Sequence, residues 1–198
     1  MLELIDLTFD YQEEPLLNKI GLQVSAGDLV HLRGANGSGK TTLLKLIAGL
    51  YQPHEGEIRF LGQTINKNLA VYQRQLCFVG HKTGINPYLT LLENCRFDTH
   101  YDNRDLQQLA AVFDLQKYSH KMTGLLSAGQ RRQVGLLRLW MTKAVLWLLD
   151  EPLVALDEKA IVVLMNRIKE HRQQGGAVIL SSHQSLPLPS NEYQEYLL

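Results

Sequence analysis

The sequence has little cysteine, no excess of charge of either sign and no long apolar segment. Its two cysteines, Cys77 and Cys95, lie 18 positions apart without a Cys-x-x-Cys pattern, which favours buried thiols in a reducing compartment. Twenty Lys and Arg balance twenty Asp and Glu, so the basic excess typical of nucleic-acid binding is missing. Apolar runs such as Ala144–Leu149 fall far short of the roughly 20 residues of a membrane-spanning helix, and the N-terminus has no signal-peptide pattern.

The length and composition predict one folded domain. The chain has 198 residues, of which 45% are apolar and 20% charged. A chain of this length buries enough surface to fold without disulfides or structural metals, and its composition excludes disordered and fibrous classes. We therefore expect a single domain over residues 1–198 that does not cross a membrane by itself.

Hydrophobic periodicity predicts alternating strands and helices. Apolar and polar residues alternate over 5–11 and 20–24, which is typical of half-buried strands. Further strands are predicted at 28–33, 57–61, 76–79, 144–150 and 177–181, helical segments at 42–50, 89–92, 105–113, 127–142 and about 161–168, and a short final element at 193–198. This alternation favours an α/β fold with a largely parallel sheet.

Gly34–Thr41 matches the phosphate-binding pattern G-x-x-x-x-G-K-[ST], between a predicted strand and a predicted helix. Glycines in such a loop let backbone N–H groups turn towards phosphate oxygens, and the start of the helix adds a favourable dipole. Lys40 would place its charge on the β and γ phosphates, and the Thr41 hydroxyl is a suitable Mg²⁺ ligand. The alternative is a glycine-rich turn with an incidental lysine, which the flanking elements disfavour.

Two acids, Asp150 and Glu151, follow the apolar segment 145–149 at the predicted carboxyl end of a buried strand. Ligands of α/β sheets usually bind at that edge. Asp150 suits Mg²⁺, and Glu151 is placed to polarise a water for in-line attack on a γ phosphate. Acids after strands are also common as caps or solvated turns, but the phosphate loop earlier in the chain favours the functional interpretation.

The segment Leu126–Gln130 opens another predicted helix. The Ser127 hydroxyl, the Gly129 N–H and the helix dipole together would form a second anion site. The alternative is ordinary helix capping by Ser127, and the residues alone favour that alternative.

Together, these segments resemble the ATP-binding subunits of ABC transporters over nearly the whole chain. Gly34–Thr41 is similar to Walker A, Leu126–Gln130 to the family signature, Leu146–Asp150 with Glu151 to Walker B, Ala155–Asp157 to the D-loop, His183 to the switch histidine and Tyr11 to the A-loop aromatic. The resemblance implies an α/β P-loop NTPase fold of ABC type. Such a fold has a mostly parallel core sheet, an N-terminal antiparallel β part and a helical subdomain, here over about residues 85–130.

The resemblance also implies the site residues of an ATPase that uses ATP and Mg²⁺. The catalytic residues that it implies are Glu151, His183, Lys40 and His81, and the implied metal ligands are Thr41, Asp150 and His81. A larger set of residues is implied to bind ATP: Tyr11, Gly34, Ala35, Asn36, Gly37, Ser38, Gly39, Lys40, Thr41, Thr42, Ser127, Ala128, Gly129 and Gln130. In that family two subunits hold ATP between Walker A of one and the signature of the other, so a second copy of this chain is an expected partner.

Two positions depart from the family pattern. His81 stands where the family usually has the Q-loop glutamine, and Val154 stands where the D-loop commonly has serine. A neutral histidine can still hold a water or a Mg²⁺ shell through one ring nitrogen, which would make the role of His81 sensitive to pH. For Tyr11 and His183, the alternatives to the family roles are a plain strand residue and a solvated loop histidine.

Five further segments narrow the resemblance to the ATP-binding subunits of haem exporters in bacterial cytochrome c maturation: Gly80–Asn86, Leu89–Asn94, Arg138–Trp140, Gln174–Gly176 and Ser182–Gln184. That likeness implies ATP hydrolysis coupled to haem export and integral membrane partner subunits. It also implies a peripheral location on the cytoplasmic face of the bacterial inner membrane. The chain has no paired haem-ligand spacing, so we expect haem to be handled by other chains, and we expect no nucleic-acid partner.

Three other functions compete with haem export. An ABC importer or drug-exporter ATPase would use the same mechanism for other cargo. A soluble nucleotide-gated module on ribosomes or nucleic acid usually has two cassettes or an inserted helical arm, and this sequence has neither. A nucleotide kinase would need an acceptor site and a lid, and the segment Leu126–Gln130 opposes that function.

Overall fold

The structure, a computed structural model, describes residues 1–11, 15–97 and 106–198. Its strands are β1 (Leu2–Asp10), β2 (Pro15–Val24), β3 (Leu29–Arg33), β4 (Glu55–Phe60), β5 (Gln63–Thr64), β6 (Leu76–Val79), β7 (Leu146–Asp150), β8 (Ala177–Ser181) and β9 (Gln194–Leu197). Its helices are α1 (Lys40–Ile47), α2 (Leu69–Gln73), α3 (Leu91–Phe97), α4 (Leu106–Ala111), α5 (Ala128–Leu136), α6 (Arg138–Met141) and α7 (Glu158–Gln173). Residues 98–105 of the predicted helical subdomain lie outside the described residues.

The larger sheet has the strand order β6-β7-β8-β3-β9, and β3 runs parallel to both β8 and β9. Every residue of β7 and β8 is buried, which explains the continuous apolar sequence of these strands. The prediction of a largely parallel sheet is therefore confirmed. The carboxyl ends of β3, β7 and β8 lie at one edge, which is where the phosphate loop and the two acids begin.

The smaller sheet is antiparallel, with the order β2-β1-β4-β5, and it contains the N-terminal strands. The buried residues of β1 are Leu2, Leu4, Leu7 and Phe9, so the predicted alternation holds at Leu7 and Phe9 but not at Ile5, which is half-buried. A register shift between Leu4 and Leu7, where Asp6 has φ of +49°, moves the alternation by one residue. Leu2, Leu4 and Leu7 of β1 belong to one apolar cluster with Leu43 and Ile47 of α1. This cluster anchors the helix that follows the phosphate loop.

The chain forms two compact units. The first comprises residues 1–78, 144–151 and 171–198 and contains α1, α2 and, apart from Val79, both sheets. The second comprises 79–143 and 152–170 and contains α3 to α6 and most of α7. Among the residues that the structure describes, no helix combines the length and the apolar composition needed to span a membrane.

The predicted helix 127–142 is in fact two helices, α5 and α6, which meet at Leu137. The Leu137 N–H is shared between Gln133 O at 3.1 Å and Val134 O at 3.2 Å, so the last turn of α5 tightens before the chain continues. Sequence periodicity continues through such a turn and does not reveal it.

Candidate functional site

The phosphate loop joins buried strand β3 to α1. Gly34, Gly37 and Gly39 adopt φ of +152°, +85° and +98°, which L side chains rarely adopt. At Gly39 a Cβ atom would also lie 2.7 Å from Leu17 Cδ2, so the loop is closed to a larger residue there. The local backbone thus has the conformation for which the glycine pattern is required.

Lys40 is the first residue of α1, and its side chain folds back over the loop. It is only 7% exposed, and its Nζ donates to Gly34 O at 2.8 Å and to Ala35 O at 2.9 Å. Inside the same loop, the buried Ser38 Oγ has no hydrogen-bond partner among the described residues. A buried polar atom without a partner is costly, and an anion in the loop would satisfy it.

Thr41 and Asp150 meet at the edge of the parallel sheet. The Thr41 hydroxyl donates to Asp150 Oδ2 at 2.9 Å and lies 3.1 Å from Oδ1. Asp150 is 1% exposed at the end of β7, and the Ser181 hydroxyl donates to its Oδ1 at 2.8 Å. The arrangement offers a hydroxyl and a carboxylate, the hard oxygen ligands that Mg²⁺ prefers, so these two residues fit the predicted metal.

Glu151 follows Asp150 in a left-handed backbone conformation, with φ of +51°. Strained conformations of this kind concentrate at functional sites, and here Glu151 N–H is held by Ser181 Oγ at 3.0 Å. His183 Nε2 lies 3.1 Å from Glu151 Oε1, but the two atoms are not aligned for a hydrogen bond. Glu151 Oε1 thus remains able to accept a proton, while the 46% exposed His183 reaches it from solvent.

Tyr11 is 59% exposed after the end of β1. Its hydroxyl lies 3.0 Å from Thr42 Oγ1 in α1, and its ring meets Phe9 edge-to-face with centroids 5.1 Å apart. These contacts leave much of the ring open to solvent beside α1. An aromatic ring in that state offers a stacking surface to a planar group.

The signature segment caps α5 in the second unit. Ser127 Oγ accepts from Gln130 N–H at 3.1 Å, and Gln130 Oε1 accepts from Ser127 N–H at 2.9 Å, which is a capping box. At Gly129 a Cβ atom would lie 2.5 Å from Ala155 O, so only glycine permits this approach of the D-loop. Capping and an anion site are compatible, because the Ser127 hydroxyl keeps its proton to donate.

A buried arginine that no sequence pattern indicated supports the segment around His81. Arg132 is 5% exposed, and its Nη1 donates to Gly80 O at 2.8 Å and approaches His81 O at 3.4 Å. Its Nε donates to Pro152 O at 3.4 Å. The backbone at His81 is therefore anchored, while the His81 side chain is exposed. The sequence alone does not distinguish Arg132 from the other charged and polar residues of its helix, so its burial was not predicted.

The structure brings the predicted residues together in two groups. Tyr11, Gly34–Thr42, Asp150, Glu151 and His183 lie in the first unit, and within it the phosphate loop is in contact with Asp150 through Thr41. His81 and Ser127–Gln130 lie in the second unit. Beside Ser127 and Gly129, a cleft of about 400 Å³ in the second unit is lined by polar residues that include Asp157 and Lys159.

A protein-family model and two named relatives match most or all of this chain. The family model described as ABC transporter matches residues 17–154. A cytochrome c biogenesis ATP-binding export protein, CcmA, of Legionella pneumophila (strain Paris) is 57% identical over 200 residues, covering 100% of both chains. The protein of the same name from Tatumella citrea is 41% identical over 189 residues, covering 94% of this chain and 90% of that protein.

Two of the solved structures that match are similar to this chain in both fold and sequence. The ATP-binding subunit of an ABC transporter has a TM-score of 0.82 and 28% identity, covering 92% of this chain and 79% of that chain. An ATP-binding cassette solved as a dimer, in a post-hydrolysis state bound to ADP and Pi, has a TM-score of 0.80 and 26% identity, covering 93% of this chain and 88% of that chain.

Proposed function

Since this chain belongs to the ABC transporter family, we propose that it is the ATP-hydrolysing subunit of a membrane transport complex that serves haem export in cytochrome c biogenesis. Residues 1–198 act as one ABC ATP-binding domain. The observation that carries the proposal is the full-length 57% identity with a named cytochrome c biogenesis export protein, together with a phosphate loop of the required conformation.

ATP binds with its phosphates in the loop Gly34–Thr41. Lys40 Nζ exchanges the carbonyls of Gly34 and Ala35 for β and γ phosphate oxygens, and Ser38 Oγ gains an acceptor. Backbone N–H groups at the start of α1 add their dipoles, and Tyr11 stacks on the adenine. The remaining residues of the predicted set, Ala35, Asn36, Gly37, Gly39 and Thr42, shape the loop and its exit into the helix.

Hydrolysis depends on Glu151 and His183. Glu151 takes a proton from the attacking water at Oε1, and His183 orients that water and contacts the γ phosphate. Thr41 and Asp150 would hold Mg²⁺, which supplies positive charge against the phosphate oxygens when bound. The metal role of His81, which replaces the family glutamine and lies in the second unit, stays a prediction. The burial of Asp150 and its bond from Ser181 keep its carboxylate in place.

A second copy of the chain completes the site. The likeness to a cassette solved as a dimer supports this partner. The segment Ser127–Gln130 of one copy then donates the Ser127 hydroxyl and the Gly129 N–H to ATP bound by the other copy. Ala128 and Gln130 maintain the close approach of this segment to ATP and its capping geometry.

The partners outside the dimer are integral membrane subunits of the haem exporter. The names of the relatives from Legionella pneumophila and Tatumella citrea support the assignment to cytochrome c biogenesis. The chain works on the cytoplasmic face of the bacterial inner membrane, held there through these subunits. An ABC ATPase with another cargo is the second candidate, because the ATPase residues do not specify what is carried.

The test of this function is a mild-detergent pull-down of the tagged full chain from native membranes, with mass spectrometry of the bound proteins and an absorbance reading for haem. We expect the membrane subunits of cytochrome c maturation to co-purify. The Lys40→Ala chain, which is expected to bind ATP weakly, is the control that shows whether capture of the membrane subunits depends on bound nucleotide. Recovery of an unrelated permease without these subunits would contradict haem export and leave the ATPase function standing.

Substitution of His81 by glutamine is expected to retain ATP hydrolysis, with kcat within about threefold of wild type, a difference of under 1 kcal/mol. Glutamine is the usual family residue, and the backbone at this position is held by Arg132 independently of the side chain. The measurement is steady-state phosphate release at pH 6 and pH 8. An inactive His81→Gln chain that remains folded would mean that the imidazole has a task of its own.

A further inference from the structure

His31 is a fully buried histidine in β3, between the apolar residues Val30 and Leu32. Its Nε2 lies 3.2 Å from the backbone oxygen of Ser182. Its Nδ1 is buried and has no hydrogen-bond partner among the described residues. A buried polar atom without a partner costs free energy, so packing alone would favour an apolar side chain at this position.

The oxygen that His31 contacts belongs to the peptide group that leads into His183. Because a peptide group is planar, a hydrogen bond to Ser182 O also fixes the orientation of the His183 nitrogen. On the other side, the Ser182 hydroxyl accepts from Gln184 N–H and contacts Gln184 O, both at 3.0 Å. The chain is thus held before and after His183, whose Nε2 lies 3.1 Å from Glu151 Oε1.

The contact determines which nitrogen of His31 carries the proton. A carbonyl oxygen only accepts, so Nε2 is the protonated nitrogen. Burial lowers the pKa of His31, Arg33 on the same strand acts in the same direction, and the Ser182 carbonyl, Glu195 and Glu151 oppose it. The ring is therefore neutral at pH 7, with Nδ1 facing Glu195 Oε1 at 4.0 Å and the ring edge against Tyr193.

From these contacts we propose that His31 is a positioning residue for ATP hydrolysis, whose Nε2–H holds the Ser182–His183 peptide and thereby places His183 against Glu151. The inference rests on the proposed ATPase function. It accounts for a histidine, rather than an aliphatic residue, in the middle of a buried strand.

The test compares His31→Gln with His31→Asn in the full chain purified together with its bound membrane subunits. The glutamine amide nitrogen reaches about as far as Nε2 and keeps the donor, whereas the asparagine amide is one methylene shorter and does not reach Ser182 O. We expect wild-type kcat for His31→Gln. For His31→Asn we expect kcat about tenfold lower with little change in KM for ATP, because small misplacements of a catalytic group are costly.

A double-mutant cycle separates positioning from a general structural defect. Since His31 acts through His183, adding His31→Asn to His183→Ala should lower kcat no further. The matched control is His171→Asn, which alters another buried histidine whose Nε2 lies 3.2 Å from a backbone oxygen, that of Val145. We expect this control to keep wild-type kcat.

Equal kcat for His31→Gln and His31→Asn would overturn the proposal. It would also be overturned if His31→Asn lowered kcat by the same factor in the wild-type chain and in the His183→Ala chain. A thermal melt checks folding, and if His31→Asn is unfolded, His31→Met replaces it, because Met fills an apolar site without a donor. A wild-type complex without ATP hydrolysis would overturn the proposed function and this inference with it. If the wild-type complex is active and the two His31 variants have equal kcat, only the proposal for His31 is overturned, and the proposed function stands.

Discussion

Replacing Glu151 with glutamine is expected to lower kcat for ATP hydrolysis at least about a hundredfold while leaving ATP bound, since general bases contribute about 10²–10⁴-fold. Glutamine has nearly the same shape, but its amide does not take a proton from the attacking water. The position is fixed by the left-handed backbone and by the bond from Glu151 N–H to Ser181 Oγ at 3.0 Å. Nucleotide affinity should persist, because the phosphate loop is unchanged.

The measurement pairs phosphate release with the dissociation constant for ATP. Glu170→Gln makes the same chemical change at an exposed carboxylate that pairs with Arg167, and it should keep wild-type kcat. Full-rate hydrolysis by a folded Glu151→Gln chain would remove Glu151 from its assigned role as the base.

Replacing Lys40 with alanine is expected to weaken ATP binding about a hundredfold, which corresponds to roughly 2.7 kcal/mol. Charge-assisted hydrogen bonds contribute about 1.5–3 kcal/mol each, so the loss of contacts to two phosphates is sufficient. Hydrolysis should fall with binding, because Lys40 Nζ is the cation that the loop itself carries, 2.8 Å from Gly34 O.

Isothermal titration with ATP measures this effect directly. Lys67→Ala removes an exposed lysine of the first unit and should leave the affinity unchanged. A thermal melt shows whether the Lys40→Ala chain is folded. Affinity within about twofold of wild type in a folded chain, under 0.5 kcal/mol, would contradict the assigned role of Lys40.

The parts of the site that the sequence predicted are those built from neighbouring residues. Gly34–Thr41 specifies its own turn, because its glycines adopt backbone conformations that other residues rarely adopt. The apolar segment before Asp150 likewise specifies a buried strand with an acid at its end. Local chemistry is sufficient at these positions, and it also places Ser127 at the start of a helix.

The parts that the sequence did not predict depend on contacts between distant residues. Arg132 is buried because it bonds backbone oxygens more than 50 positions away at Gly80, and no local pattern reports such a partner. His31 contacts Ser182 across 151 positions, and the final strand β9 pairs with β3 rather than forming an independent element. Long-range pairing of this kind follows from topology and not from periodicity.

The left-handed conformation of Glu151 was also not predictable. Glutamate rarely adopts positive φ, so its sequence gives no sign of strain at that position. The hydrogen bond from Glu151 N–H to Ser181 Oγ holds the residue there. The motif identified Glu151 as a candidate base, and the structure adds how its carboxylate is aimed.

We expect ATP hydrolysis by this chain to be required for haem delivery to c-type cytochromes. The most direct measurement is covalent haem in denatured membrane proteins of cells that lack the chain and are complemented with wild type, Glu151→Gln or Glu170→Gln. We expect haem-bearing c-type cytochromes with wild type and Glu170→Gln, and their loss with Glu151→Gln. Normal c-type cytochromes in cells that have only the Glu151→Gln chain would show that haem delivery does not need ATP hydrolysis by this chain.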